Sequence, residues 1–179
     1  MLIVLDLDET LIHATRKGVE FEVMPQFEVY EYKVYVRPFL PEFLTELSKQ
    51  FTLGIWSSAN EEYIEAVTEK IIPEEIKLEF IWGSEKCTVR RDFELDSYVK
   101  TKRLKKLKRF GYSMKEIIMV DDSPEKLKQN YGNSIIIRPF KGNPADNELR
   151  YLWKYLLSLK DEENIRSIEK RDWRTKIIE

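Results

Sequence analysis

The reactive side chains of this sequence fall into a few short clusters. Asp6-Leu7-Asp8-Glu9-Thr10 follows the apolar run Leu2 to Leu5. Ser57 and Ser58 follow a second apolar run, and Asp121-Asp122-Ser123 closes a later one, with Lys100 and Lys102 shortly before it. Carboxylates brought together without a basic partner repel and raise one another's pKa. A hard divalent cation relieves that repulsion, and Mg2+ takes a few carboxylates together with waters and phosphate oxygens. Hydroxyls and ammonium groups suit the remaining phosphate oxygens. One carboxylate can attack phosphorus, while a second, two residues on, protonates the leaving oxygen and later activates water. The set points to phosphoryl transfer.

These clusters need elements that bring them to one place. The runs at 2–8, 51–57, 78–83, 117–122 and 134–140 are continuously apolar, the pattern of strands covered on both faces of a parallel sheet. Helical spacing fills the gaps at 38–50, 60–72, 123–130 and 143–160. Asn60 reads as a cap for the second of these, with acids in its first turn. A short basic helix is expected at 101–110, with Lys100 and Lys102 at its start and Leu104 and Leu107 inward. Strand–helix alternation predicts an α/β, Rossmann-like, doubly wound and mainly parallel sheet. Ligands of such sheets sit beyond the carboxyl ends of the strands, and the reactive clusters lie at those ends.

Residues 19–36 alternate polar and apolar around Pro25-Gln26, which predicts a small antiparallel hairpin inserted after the first strand. One domain is expected over 1–160, followed by a charged tail or helix over 161–179. The gap from Asp8 to Ser57 holds only the hairpin and one helix. The gap from Ser57 to Lys102 holds a helix, a strand and a short loop at 83–98. Neither is large enough for a separate cap domain, so an open site is expected, suited to a phosphate carried on a large molecule.

Composition narrows the classes further. With 179 residues, a net charge of −2 and 35% charged residues, electrostatics alone do not announce a nucleic-acid binder. A single cysteine, Cys87, and a single histidine, His13, exclude an internal disulfide, a cysteine zinc cluster and a two-histidine site. Phe93 stands where a C-x5-R thiol phosphatase would need arginine. No apolar run approaches membrane-span length and no basic segment precedes the first short one, so a soluble, cytoplasmic protein without membrane association is expected.

The stretches DLDETLIH, VRPFLPEFLTELSKQFTLGIWSSAN, YVKTKRLKKLKRFGY and IIMVDDSPEKL, in that order, resemble the haloacid dehalogenase superfamily of phosphotransferases. Within it they are similar to the branch of RNA polymerase II C-terminal-domain phosphatases and small phosphatases, and YGNSIIIRPF and DNEL resemble its bacterial members. The resemblance implies a Mg2+-dependent phosphatase working through an aspartyl-phosphate, with phosphoserine or phosphothreonine on protein as substrate. It implies Asp6 as nucleophile and metal ligand, and Asp8 as general acid/base with its main-chain carbonyl on the metal. It also implies Ser57 as phosphate-binding hydroxyl, Thr10 and Ser123 as loop support, and Asp121 and Asp122 as the late acidic pair, Asp122 the more direct ligand. For the lysine, Lys102-Arg103-Leu104 fits the spacing before Gly111, with Arg103 where aspartate is usual; Tyr98-Val99-Lys100 is a competing match.

Plainer readings stand beside these. Asp6 and Asp8 could form a solvated turn, Ser57-Ser58 could cap a helix, and His13 and Cys87 read as structural. The basic run is a solvated face before it is a nucleic-acid patch, and Tyr30, Tyr32, Tyr35 and Trp82 read as packing before a peptide groove. Other readings are a non-catalytic phospho-ligand or protein-binding module of the same fold and a nucleic-acid 3′-phosphatase. A receiver domain would need its acid pair first and its phosphorylated aspartate later.

Overall fold

The computed structural model describes residues 1–93 and 96–178. Its centre is a parallel sheet of β1 (Leu2–Leu5), β5 (Thr52–Trp56), β6 (Ile81–Trp82), β9 (Ile117–Asp121) and β10 (Ser134–Ile136). The order is β10-β9-β1-β5-β6, so the strand that delivers Asp6 lies in the middle. Leu2 pairs with Thr52 on one side and Ile117 on the other, which brings the carboxyl ends of three strands level. Every residue of β1 is buried because both faces are covered. Ile3 and Leu5 enter one apolar cluster while Leu2 and Val4 enter the opposite one.

Among the described residues, four α-helices complete the main body. In α1 (Leu40–Ser48), Leu40, Phe43, Leu44 and Leu47 form the buried stripe expected from helical spacing. Asn60 caps α2 (Glu61–Ile71) by accepting the Tyr63 N–H. The short α3 (Pro124–Leu127) starts directly after the late acids, and α4 (Glu148–Ser158) is shorter than the expected 143–160.

Three local expectations are corrected. The insertion after β1 is a three-stranded antiparallel sheet, with β2 (Ile12–Thr15) and β3 (Phe27–Val29) flanking β4 (Tyr32–Val36). Its tight turn is Tyr30-Glu31, with Tyr30 at φ 52°, and not Pro25-Gln26. Gln26 is held in the ladder instead, its side chain accepting the Val36 N–H at 2.7 Å.

A second antiparallel hairpin, β7 (Thr88–Asp92) and β8 (Ser97–Thr101), occupies most of the segment expected to be a loop. Residues 94 and 95 of that segment lie outside the described residues, as does residue 179 of the tail. The basic segment is a run of 3-10 turns over Leu104–Phe110. Lys100 therefore sits on β8 and Lys102 on the linker after it, neither on a helix.

The tail docks on the domain. Trp173 and Ile165 are fully buried, and the Trp173 indole N–H donates to the Ile136 carbonyl at 3.0 Å. The tail ends in α5 (Thr175–Ile178). Among the described residues, no helix is long and apolar enough to cross a membrane.

Candidate active site

The backbone of β1 ends by donating the Asp6 N–H to the Val120 carbonyl at 2.9 Å, which fixes Asp6 beside the end of β9. The chain then turns at once. The Leu7 carbonyl accepts from the N–H groups of Thr10, Leu11 and Ile12, and Glu9 adopts φ 59°. Arg37, buried, clamps the far side of this turn: Nη1 donates to the Thr10 carbonyl at 2.9 Å while Asp146 accepts from Nε and Nη2, each at 2.9 Å.

Because the chain turns at Leu7, the two acids of Asp6-Leu7-Asp8 face different partners. The Lys102 ammonium, fully enclosed, donates to Asp6 Oδ1 at 2.5 Å and to Asp121 Oδ2 at 2.6 Å. Thr10 Oγ1 reaches Asp6 Oδ2 at 3.5 Å. Asp8 accepts from the Tyr63 phenol at 2.8 Å and from the Ser57 hydroxyl at 3.3 Å. Ser57 is placed there by its own N–H, which bonds the Trp82 carbonyl at the sheet edge.

Electrostatics separates the two acids further. Burial, with the charge of Asp6 beside it, raises Asp8 to about 6, against the lowering effect of the Tyr63 and Ser57 hydrogen bonds. Burial and Asp6 likewise push Asp121 up to about 7 despite Lys102 and Lys126, and raise Asp122. Lys102 is held above its ordinary value: burial opposes its charge, but Asp6 and Asp121 outweigh it.

Asp6, Asp121 and Asp122 each offer an oxygen within 4.8 Å of the others, among the described residues the one such group of three. Ser123 supports this pair of acids, its N–H donating to Asp121 Oδ1 and its hydroxyl to Asp122 Oδ1. Three crowded carboxylates, two of them, Asp121 and Asp122, with raised pKa values, fit a hard divalent cation. The Asp8 carboxylate is outside that set, turned toward Ser57 and Tyr63.

The structure thus brings together Asp6, Asp8, Thr10, Ser57, Lys102, Asp121, Asp122 and Ser123. Lys100 does not join them: it is exposed and donates to the Ser58 carbonyl at 3.3 Å. His13 bonds Glu9 and stays off the acids. Tyr35 and Trp82 are buried, whereas Tyr30, Tyr32 and Tyr63 line a hollow of about 300 Å3 that includes Asp8.

Sequence reasoning missed three contributors. Tyr63 sits in the first turn of α2, where nothing in its spacing marks it. Lys126, in α3, stands 3.9 Å from Asp6 and 4.0 Å from Asp121. Asn130, buried, donates to the Lys102 carbonyl at 2.5 Å and accepts the Leu104 N–H at 3.1 Å, fixing the lysine's backbone.

Comparison with known proteins gives a coherent picture. Residues 1–166 match the family described as NLI interacting factor-like phosphatase. The CTD small phosphatase-like protein 2 of Dictyostelium discoideum is 31% identical over 171 residues, covering 92% of this chain; the chain spans only 28% of that relative's length. Among solved structures, the fission yeast RNA polymerase II CTD phosphatase Fcp1, bound to beryllium fluoride, aligns with a TM-score of 0.59 at 19% identity. That match covers 92% of this chain and 53% of the other. A haloacid dehalogenase-like hydrolase from Bacteroides fragilis aligns with a TM-score of 0.53 at 15% identity, covering 83% and 91% of the two chains. At such identities the structural matches speak for the fold.

Proposed function

This chain belongs to the NLI interacting factor-like phosphatase family, and from that premise we propose that it hydrolyses phosphate monoesters through an aspartyl-phosphate on Asp6. The substrate class is phosphoserine or phosphothreonine on protein. The observation that carries the reading is the divergence of Asp6 and Asp8, one bonded to a buried ammonium and the other to two hydroxyls.

In the first step an Asp6 carboxylate oxygen forms a bond to phosphorus while the ester P–O bond breaks. Protonated Asp8 gives its proton to the departing hydroxyl oxygen. In the second step the Asp8 carboxylate takes a proton from water, the water oxygen attacks phosphorus, and Asp6 leaves with inorganic phosphate released. A carboxyl held at about 6 suits both halves near neutral pH. Ser57 and Lys102 offer donors for phosphoryl oxygens, and Lys102 neutralises Asp6 before attack. Asp6, Asp121 and Asp122 would hold Mg2+, with the Asp8 main-chain carbonyl as a further ligand, and the ion would neutralise charge on the phosphoryl group.

The phosphoprotein reading draws on the lack of a separate lid domain among the described residues and on the aromatic hollow beside Asp8, which is open to a neighbouring peptide side chain. The name of the fission yeast relative, RNA polymerase II CTD phosphatase, supports a phosphate carried on protein. The test is hydrolysis of an aryl phosphate and of a phosphopeptide panel with and without Mg2+, with Asp6→Asn as blank. Mg2+-dependent turnover that vanishes in Asp6→Asn is expected. Turnover without Mg2+, or an active Asp6→Asn protein, overturns the reading. A polynucleotide 3′-phosphate cleaved much faster than any phosphopeptide reassigns the substrate.

A further inference from the structure

The proposed chemistry gives no role to Lys126. It is the third residue of α3, and its side chain is 22% exposed. Its ammonium faces Asp6 Oδ2 at 3.9 Å and Asp121 Oδ1 at 4.0 Å. Lys102 uses the other oxygen of each carboxylate, Asp6 Oδ1 and Asp121 Oδ2. The segments that carry the two lysines are tied together, since the Lys102 N–H donates to the Lys126 carbonyl at 3.0 Å. Two ammonium groups therefore approach the same two acids from different sides, one enclosed and one at the solvent edge.

A divalent ion drawn to Asp6, Asp121 and Asp122 finds one oxygen of Asp6 and one of Asp121 already committed to Lys102. The oxygens of Asp6 and Asp121 left to it, Oδ2 and Oδ1, face Lys126, the latter also accepting the Ser123 N–H. Like charges at such separations repel, the more so the less water stands between them. Lys126 has a flexible four-carbon stem and an open side, so it can withdraw, but only by giving up its attraction to the acids. Burial opposes its charge, yet Asp6, Asp121 and Asp122 hold its pKa above that of an ordinary lysine.

We propose that Lys126 is an internal cation competing with the divalent ion for Asp6 and Asp121, and that it sets the Mg2+ concentration at which the site fills. The inference rests on the reading of Asp6, Asp121 and Asp122 as the metal site. A protein with this device responds to free Mg2+ over a higher range than its three acids alone would give.

Isothermal titration of the full chain with MgCl2, in wild type and Lys126→Met, tests it. Methionine keeps the stem and the helical preference and removes the charge. The neutral variant is expected to bind Mg2+ about tenfold more tightly, and to show the larger rise in Tm at a given Mg2+ concentration. Lys126→Gln should behave as Lys126→Met, while Lys126→Arg should keep the weaker affinity. Equal affinity within about twofold, weaker binding in both neutral variants, or tight binding by Lys126→Arg overturns the proposal. Absence of Mg2+ binding in wild type and variants alike overturns the metal-site reading itself, and this inference with it.

Discussion

The phenol of Tyr63 donates a 2.8 Å hydrogen bond to Asp8, joining the first turn of α2 to the acid that serves as proton carrier in the proposed reaction. The bond stabilises the ionised carboxylate and so lowers the pKa of Asp8, against burial and the charge of Asp6. Loss of that bond is expected to raise the Asp8 pKa further.

Tyr63→Phe removes only the phenol oxygen. If Asp8 must be protonated when substrate binds, kcat/KM falls as pH rises through the Asp8 pKa. The descending limb in Tyr63→Phe is expected to move about half to one pH unit to the alkaline side. A profile from pH 4.5 to 8.5 reads this, and an unmoved limb removes Tyr63 from the control of Asp8.

Lys102 is enclosed between Asp6 and Asp121, and removing one member of a buried ion pair strands the rest. Lys102→Met is expected to lower unfolding stability by about 3–5 kcal/mol, measured by urea denaturation. A loss below about 1 kcal/mol would mean that the pair contributes no more than a surface contact.

Stability should also depend on pH in an unusual direction. Asp8 at about 6 and Asp121 at about 7 lie above the ordinary 3.8 of an aspartate. Between about pH 4 and 7 the folded chain therefore binds more protons than the unfolded chain, and stability falls as pH rises through that window. Glu169, lowered to about 2, acts below it, and Lys170, lowered to about 8, acts above it. The urea midpoint in EDTA is expected to be lower at pH 8 than at pH 5, with Mg2+ reducing the difference. An equal or higher midpoint at pH 8 contradicts the raised values.

Trp173 fastens the tail by burial and by its bond to Ile136. Trp173→Ala is expected to lower stability by about 3–5 kcal/mol through the cavity and the carbonyl left behind. Chemical denaturation checks it, and a change under about 1 kcal/mol would show the tail to be dispensable to the core.

Much of this was legible in the chain. Leu2 to Leu5, Ile117 to Val120 and Leu53 to Trp56 are continuously apolar apart from Gly54, and runs this short between turn residues suit strands covered on both faces, which made the parallel sheet readable. Asp6, Ser57 and Asp121 each follow or close such a run, so their convergence at one sheet edge came from the same signal. The β7–β8 hairpin was not legible, because Thr88–Asp92 and Ser97–Thr101 carry charged and polar residues on both faces and show no buried alternation. The turn at Tyr30-Glu31 was hidden for a related reason: neither residue is a preferred turn former, and Pro25 drew the reading to the wrong place.

The order of residues was enough to set the sheet, the succession of reactive clusters and the identity of the acids, since local burial patterns dictate where a strand ends and which side chains stand at its end. Packing between distant segments was needed to choose between the two lysines. Lys100 is held on the outside of a hairpin, whereas Lys102 is drawn inward by Asn130 and by its backbone bond to Lys126. The same packing stands Tyr63 beside Asp8 and Lys126 beside Asp6. These outcomes depend on the direction of side chains from segments far apart in the chain. Such directions are fixed by hydrogen bonds between those segments, which no local spacing records.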